Sequence, residues 1–304
     1  MRSTIAFALI LAATAAIGQG LPPEELPGQP SPTPDVEAEA VVEDDAPAAI
    51  PARHVVLVGG INKDPEERQN KDRNVLRLYR LFEKASGDVH VLVDENSLVR
   101  DMRSVAAPAL SSHANIKKTL ADLAKTVDPS ERLLFFFTGQ ANLVGDALRL
   151  NLAGPDVTHT ELIEWLAPIP AHEMVIILDC PHAGLVVKPL CEGFPASRPG
   201  AFLVICSSRS DQPYATRFGD FFIPALSDPE SDGDASGTIS VLEAFRLACQ
   251  RVDAMFRDQN LMKTETALLE DNGDGLPSQR PWRHQEEDTD GGRAARIFLM
   301  EGTL

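Results

Sequence analysis

The run RLLFFFTG, residues 132–139, decides the fold class, because Leu133 to Phe137 are apolar at every position. A strand with one face in water alternates apolar and polar residues, whereas a strand covered on both faces is apolar throughout. Four other runs share this character, namely HVVLVGG (54–60), DVHVLVD (88–94), EMVIILD (173–179) and AFLVICSS (201–208). The sequence therefore predicts a parallel sheet that is covered on both faces.

The segments between these runs carry helical periodicity, with apolar residues three and four positions apart. They are Val75, Leu78, Tyr79 and Phe82, then Ile116, Leu120, Leu123 and Val127, and finally Ile239, Leu242, Phe245, Cys249, Val252 and Phe256. Thr158 and Glu161 have the spacing of a capping box at the start of another helix. Alternating strands and helices predict a three-layer α/β fold with a mainly parallel sheet and helices on both faces. In such folds, ligands bind at the carboxyl ends of the strands.

The composition excludes several classes of protein. The 304 residues carry a formal net charge of −17, and an acidic surface disfavours binding to nucleic acid or anionic lipid. Four scattered cysteines without a C-x-x-C pair predict neither a disulfide-built mini-protein nor a zinc site.

The first 52 residues of the chain are not predicted to be part of the folded domain. Residues 1–18 have a basic start, a short apolar run and small residues before position 19, which predicts a signal peptide and a secreted or periplasmic protein. An uncleaved membrane anchor is the alternative, and no later segment is apolar for long enough to span a bilayer. Residues 19–52 are rich in Pro, Glu and Ala and predict a disordered linker before a domain at 53–304.

The motifs after the third and fourth apolar runs identify a family resemblance. The third ends in Thr138-Gly139-Gln140, and the fourth ends in Asp179-Cys180-Pro181-His182-Ala183-Gly184. In order and spacing they resemble the S/T-G-H-G and D-A-C-H-S-G segments of the legumain and caspase-like cysteine peptidases. SSHANIKKTLADLAK (111–125) is similar to the helix before the family's histidine strand, and SSRSDQPYA (207–215) is similar to its specificity loop. The resemblance implies a caspase-like fold.

At the catalytic positions the sequence departs from this family. Gln140 stands at the position of the catalytic histidine, and Pro181 stands at the position of the nucleophilic cysteine. Proline supplies neither a thiol nor the backbone N–H that would donate to an oxyanion. The resemblance therefore implies a secreted pseudo-peptidase of the bacterial type, with a binding or structural role.

The alternative is an active cysteine endopeptidase that uses Cys180 as a displaced nucleophile. Neighbouring side chains of a strand point to opposite faces, so Cys180 is expected to face away from the nucleophile position unless a bulge rotates it back. A buried apolar role for Cys180 and a disulfide with Cys191 or Cys206 both stay open, and Cys249 is the fourth cysteine.

The specificity loop of the family corresponds here to residues 207–212. The resemblance implies that Ser208, Arg209 and Asp211 line the cleft, where Arg209 is suited to reading a carboxylate or an amide of a peptide or protein ligand.

Residues 232–243, DGDASGTISVLE, have the spacing of an EF-hand calcium loop within an acidic region at 228–304. Gly237 provides the sharp turn, and no helix is evident just before the loop. The predicted oxygen ligands are Asp232, Asp234, Ser236, Thr238, Ser240 and Glu243.

A second, less complete calcium loop is predicted at Glu270, Asn272 and Asp274, followed by Gly275. Its twelfth position is Pro281 instead of an acid, which weakens this prediction. The segment, together with Asp290-Gly291 and the ending ARIFL (295–299), resembles bacterial secreted members of the same family. Residues 296–300 are expected to form a short edge strand or a docking segment.

Overall fold

The computed structural model of the chain describes residues 54–83, 88–102, 105, 107–194, 201–283 and 289–300. The signal peptide and linker predicted at 1–18 and 19–52 lie outside these residues. The described part contains ten strands, β1 (His54–Gly59), β2 (Asp88–Val93), β3 (Ala109–Leu110), β4 (Arg132–Thr138), β5 (Ala141–Val144), β6 (Ala147–Leu150), β7 (Val157–Thr158), β8 (Glu173–Asp179), β9 (Ala201–Cys206) and β10 (Leu268–Glu270).

The main sheet has seven strands in the order β10-β9-β8-β4-β1-β2-β3. Every neighbouring pair is parallel except β10 and β9, which are antiparallel. The predicted, mainly parallel sheet is therefore confirmed. The register pairs Gly59 with Thr138, and Thr138 with Asp179, so the carboxyl ends of β1, β4 and β8 are level.

Six helices accompany the strands in the described residues, and they are α1 (Pro65–Phe82), α2 (His113–Thr126), α3 (His159–Leu166), α4 (Val187–Gly193), α5 (Phe218–Ala225) and α6 (Val241–Asp258). Asp64 caps α1 by accepting from the Glu66 and Glu67 amides, and Pro65 takes the first position, where no N–H is needed. The predicted capping box of Thr158 and Glu161 starts α3.

The helices cover both faces of the sheet and close two apolar cores. Successive sheet residues alternate between them, so Leu57 lies in the core under α1, α5 and α6, whereas Val56 and Val58 lie in the core under α2, α3 and α4. This arrangement confirms the predicted three-layer α/β fold. The cover on both faces explains why the sequences of the central strands are apolar at consecutive positions.

Several elements differ from the sequence-based prediction. The edge strand after β9 is Leu268–Glu270, whereas Ala294–Arg296 is a single 3₁₀ turn and the following residues are not a strand. Buried Ile297 and Leu299 instead dock this ending onto the core, and the Val241 amide donates to the Ile297 carbonyl oxygen at 2.8 Å. Of the two predictions for residues 296–300, the docking segment is therefore correct and the edge strand is wrong.

The helix before the predicted calcium loop does not adjoin it, as the sequence predicts. It is α5, whose sequence FGDFFIPA is apolar nearly throughout and contains Pro224, so it shows little helical periodicity. It ends at Ala225, and a 3₁₀ turn at Pro229–Ser231 separates it from the loop. Among the described residues, no helix combines the length and the apolar character needed to cross a membrane.

Candidate functional site

The ends of neighbouring parallel strands meet at one edge of the main sheet. The Gly60 amide donates to the Thr138 carbonyl oxygen at 2.9 Å, and the Gly139 amide donates to the Asp179 carbonyl oxygen at 3.2 Å. A Cβ on Gly139 would lie 2.9 Å from the Cα of Gly60, so only glycine allows this close approach. The strand-end motifs of the sequence are thus neighbours in space.

Gln140, which the sequence resemblance aligns with a catalytic histidine, lies in the turn after β4 and is half-buried. Its Nε2 donates to Oε2 of Glu67, in the first turn of α1, at 2.7 Å. A neutral amide has no basic site that titrates near neutral pH. This position therefore holds a hydrogen bond between two elements and offers no general base.

Cys180 follows β8 and packs in the core under α2, α3 and α4. Its exposed fraction is 0%. Burial raises the pKa of the Cys180 thiol well above its usual value, and the nearby Cys206 and Asp179 raise it further. The side chains of Cys180 and Asp179 point to opposite faces of the sheet, as expected for neighbours in a strand, because Asp179 contacts Lys71 of α1 on the other face. All four cysteines of the chain are free thiols, so the disulfide alternative does not apply.

The turn after Cys180 offers no free backbone donor at positions 181–183. Pro181 has no N–H, and the His182 amide donates to the Gln212 carbonyl oxygen at 2.9 Å. The Ala183 amide donates to Oγ of Ser208 at 3.1 Å. His182 has a left-handed backbone with φ of 59°. The donors that could face an oxyanion here are absent or used inside the protein.

The predicted specificity loop lies beside this turn. Ser208 is buried, and its hydroxyl donates to the Cys180 carbonyl oxygen at 2.8 Å. Arg209 donates from Nε and Nη2 to the two carboxylate oxygens of Asp211, both at 2.9 Å, on the protein surface. Of the three predicted cleft residues, Ser208 therefore supports the turn, whereas Arg209 and Asp211 form an exposed pair that a ligand carboxylate would have to open.

A buried ionic cluster underlies the same edge. Lys71 of α1 donates from Nζ to Oδ2 of Asp179 at 2.9 Å and to the Thr216 carbonyl oxygen at 2.7 Å. The Asp179 carboxylate also accepts from the hydroxyls of Thr138 (2.9 Å) and Thr216 (2.7 Å). Burial by itself would lower the pKa of Lys71, but Asp179 outweighs it and the pKa is raised. Lys71 and Asp179 thus form a buried ion pair, and Asp179 supports the strand end instead of facing the surface.

Gly219 of α5 makes room for this cluster. A Cβ at position 219 would lie 2.5 Å from Oδ2 of Asp179 and 3.0 Å from Nδ2 of Asn74. Both atoms belong to buried polar groups that have little freedom to move, so only glycine fits.

Glu265 is a further buried acid next to the cluster. Its carboxylate accepts from the Arg217 amide at 2.9 Å and from the Phe218 amide at 3.2 Å, at the start of α5. Burial raises the pKa of Glu265 to about 7, and the charge of Asp179 adds to this effect. Lys71, Thr216 and Glu265 are not among the site residues that the sequence predicts. Only Lys71 carried a signal, because its spacing to Val75, Leu78 and Phe82 places it on the buried stripe of α1.

The raised pKa of Glu265 predicts a pH-dependent stability. Between about pH 4.5 and 7 the folded state keeps a proton that the unfolded state has released, so the free energy of unfolding falls as the pH rises. We expect Glu265 to account for a loss of about 2 kcal/mol between pH 5 and 7.5. Denaturant unfolding at both pH values measures this loss, and Glu265→Gln should lack it. An equal loss in Glu265→Gln and in the exposed control Glu164→Gln would contradict the assignment.

The acidic loop at 232–243 brings together three of its predicted ligands. One oxygen each of Asp232, Asp234 and Glu243 lies within 4.8 Å of the others, and among the described residues this is the only group of three or more acidic, His or Cys side chains that does so. Gly237 has φ of 81°, the left-handed conformation that the turn requires. Hydrogen bonds from Ser236 lower the pKa of Asp234.

The remaining predicted ligands close the loop. The Ser236 hydroxyl donates to the Thr238 carbonyl oxygen at 3.1 Å, so this carbonyl is hydrogen-bonded within the turn. Ser240 and Glu243 form the capping box of α6, with the Ser240 amide donating to Oε2 of Glu243 at 2.9 Å. The Gly233 amide donates to the other oxygen of Glu243 at 2.9 Å. The carboxylates and the carbonyl of this loop are hard oxygen donors, the type that Ca²⁺ takes.

The second predicted loop is organised differently. Oε1 of Glu270 accepts from the amides of Asn272 (3.1 Å) and Gly273 (2.6 Å), so this carboxylate shapes the turn. Nδ2 of Asn272 donates to Oδ2 of Asp274 at 3.2 Å. Glu270, Asn272 and Asp274 thus lie together, although the loop does not gather three carboxylates as the 232–243 loop does.

No protein-family model and no curated protein matches the chain. Among solved structures, the chain is similar to protein GSU0716 from Geobacter sulfurreducens, at 12% identity and a TM-score of 0.49. The match covers 73% of this chain and 93% of that one.

Proposed function

We propose that the chain is a secreted, catalytically inactive homologue of the legumain/caspase-like cysteine peptidases. Its former substrate cleft binds a peptide or protein, and its 232–243 loop binds calcium. The resemblance rests on the strand-end motifs, and the position of Gln140 and Pro181 at neighbouring strand ends supports it. The residues of the site give their strongest support to the first part of the proposal, that the chain is catalytically inactive.

The burial of Cys180 is the observation that carries this proposal. Its thiol is wholly enclosed, and its pKa lies well above the usual value because of that burial. A nucleophilic cysteine needs an accessible thiolate, which an adjacent base or a positive environment stabilises. Cys180 has neither access to a substrate nor a stabilised thiolate, so it acts as an apolar core residue.

The neighbouring positions support the same conclusion. Gln140 donates its amide to Glu67 and cannot take a proton from a thiol. Pro181 cannot donate to an oxyanion, and the next two amides are used inside the turn. Base, nucleophile and oxyanion donor are thus missing together, and each of them contributes several kcal/mol in active enzymes, although their losses are not additive.

Peptide hydrolysis tests the proposal directly. The purified protein is incubated with a diverse peptide pool in millimolar calcium, and products are read by mass spectrometry, with Cys180→Ala in parallel. We expect no cleavage above background by either protein. Cleavage by the wild type that disappears in Cys180→Ala would establish the alternative, an active peptidase with a displaced nucleophile.

The binding role of the cleft makes a further prediction. Because Arg209 is the cationic side chain of the specificity loop, Arg209→Ala should weaken the binding of peptides selected from the same pool by about tenfold. Fluorescence anisotropy measures the dissociation constants. Lys118→Ala, which removes a cation from another exposed pair on α2, is the matched control. Unchanged affinity in Arg209→Ala would argue against this loop as the binding site.

The calcium part of the proposal rests on the converging oxygens of Asp232, Asp234 and Glu243. An extracellular location fits a site of modest affinity, because extracellular calcium modules bind at about 10⁻⁴–10⁻³ M.

A further inference from the structure

Three arginines lie on one face of α1, and we call them the arginine stripe. Arg73, Arg77 and Arg80 are four and three positions apart, the spacing at which side chains of a helix are neighbours. Arg73 and Arg80 are exposed, and Arg77 is half-buried. The chain as a whole has a net charge of −17, so the stripe concentrates positive charge on an acidic protein.

The arginine stripe has no counter-charges. Within the described residues, none of its members forms an ion pair. No acid stands three or four positions from Arg73 or Arg77, and each has another arginine at that spacing, which destabilises a helix. Lys118 of α2 and Lys188 of α4, in contrast, pair with acids four positions on. Only Arg80 lies in the last turn of α1, where the helix dipole favours a cation, so the other two arginines are without a local explanation.

An open pocket of about 320 Å³ adjoins the C-terminal half of the stripe. It lies between α1 and the end of α5, and the residues that line it are Arg77, Arg80, Leu81, Ile223, Pro224 and Ser227. Three of these side chains are apolar, and two are arginines of the stripe. A ligand in this pocket therefore meets an apolar surface next to two guanidinium groups.

We propose that the arginine stripe and this pocket bind an extended acidic peptide of a partner protein. The guanidinium group of arginine pairs with a carboxylate through two hydrogen bonds. The helical rise places Arg73 and Arg77 about 6 Å apart along the axis of α1. Alternate residues of an extended peptide are about 6–7 Å apart and project to the same side. Two acids at alternate positions thus face two arginines, and an apolar side chain two positions further on enters the pocket.

The charge of the whole chain favours a short peptide over a long polyanion. A net charge of −17 repels a nucleic acid, which would extend beyond the stripe. Salt screens charges more than about 10 Å away at 0.1 M ionic strength, so a peptide confined to the stripe interacts mainly with the arginines. The apolar lining of the pocket also suits an aliphatic side chain, which a phosphate backbone does not have.

The arginine stripe lies apart from the candidate cleft. The helix α1 begins after β1 and leads back to the start of β2, which is parallel to β1. Its last turns therefore lie toward the amino ends of the strands, whereas Gln140 and Pro181 follow the carboxyl ends of β4 and β8. The proposal is independent of the cleft and of calcium binding.

Isothermal titration calorimetry of the purified protein with the synthetic peptide GESESLG tests the proposal at low ionic strength. Arg77→Gln/Arg80→Gln should raise the dissociation constant by about tenfold. The control Lys118→Gln/Lys125→Gln removes two exposed cations from α2 and should bind as the wild type does. Arg209→Ala should also bind normally, which separates this surface from the predicted specificity loop.

Two further peptides separate the contributions of charge and apolar contact. GQSQSLG lacks the two acids, GESESSG lacks the leucine, and each should bind the wild type about tenfold more weakly than GESESLG. The absence of GESESLG binding to the wild type, or an unchanged affinity in Arg77→Gln/Arg80→Gln, would overturn the proposal. So would equal affinities for GESESLG and GESESSG, because the stripe would then attract any anion without using the pocket.

Discussion

Replacing Lys71 with methionine is expected to lower the free energy of unfolding by about 3–5 kcal/mol. The side chain is buried, and its ammonium group is the cation that balances Asp179 below the strand ends. Methionine fills a similar volume but leaves the Asp179 carboxylate buried without a counter-charge. The two threonine hydroxyls that donate to Asp179 do not carry a positive charge, so they cannot replace Lys71.

Denaturant unfolding measures this effect, with Lys118→Met as the matched control. Lys118 forms an exposed pair with Asp122 on α2, and its replacement should produce no resolvable change. The double variant Lys71→Met/Asp179→Asn should recover part of the stability, because both charges are then absent. A loss in Lys71→Met no larger than in Lys118→Met would show that the buried pair does not support the fold.

Calcium is expected to raise the melting temperature of the protein, and Asp232→Ala should remove most of this rise. If the ion binds only the folded state, stability increases by about 2.7 kcal/mol at one hundred times the dissociation constant. Asp232 accepts from the amides of Ser236 and Gly237, so its removal also changes the loop in the absence of calcium. The informative quantity is therefore the shift between calcium and chelator, measured separately for each variant.

Asp146→Ala is the control for this experiment, because it removes an exposed acid far along the chain from the loop. Its calcium-dependent shift should equal that of the wild type. A wild-type melting temperature that is identical with calcium and with chelator would exclude ion binding by the 232–243 loop.

The central strands were predictable from the sequence, because strands that are buried on both faces have runs of consecutive apolar residues. RLLFFFTG and EMVIILD form β4 and β8, and strand parity also predicts that Cys180 points away from Asp179. Elements with short or mixed patterns were missed. The strand β10 has only three residues, and Pro224 interrupts the pattern of α5.

In the candidate sites, contacts within one loop were predictable from the sequence, whereas contacts between distant segments were not. The acids of the 232–243 loop converge because the spacing within one turn determines their position. Lys71 contacts Asp179 across 108 positions of sequence and Thr216 across 145. Such contacts depend on the order of the strands, which residue spacing does not contain, so the buried cluster could not be predicted.

The short strands at both ends of the main sheet have a consequence for self-association. Unpaired edge strands attract other chains, and short or covered edges prevent this. Here β3 has two residues, while the outward-facing amide and carbonyl of Leu269 in β10 are both hydrogen-bonded to Ser278, at 2.9 and 2.8 Å. Within the described residues, each end of the main sheet therefore finishes in a strand of two or three residues, which offers another chain only a short stretch of backbone for strand addition.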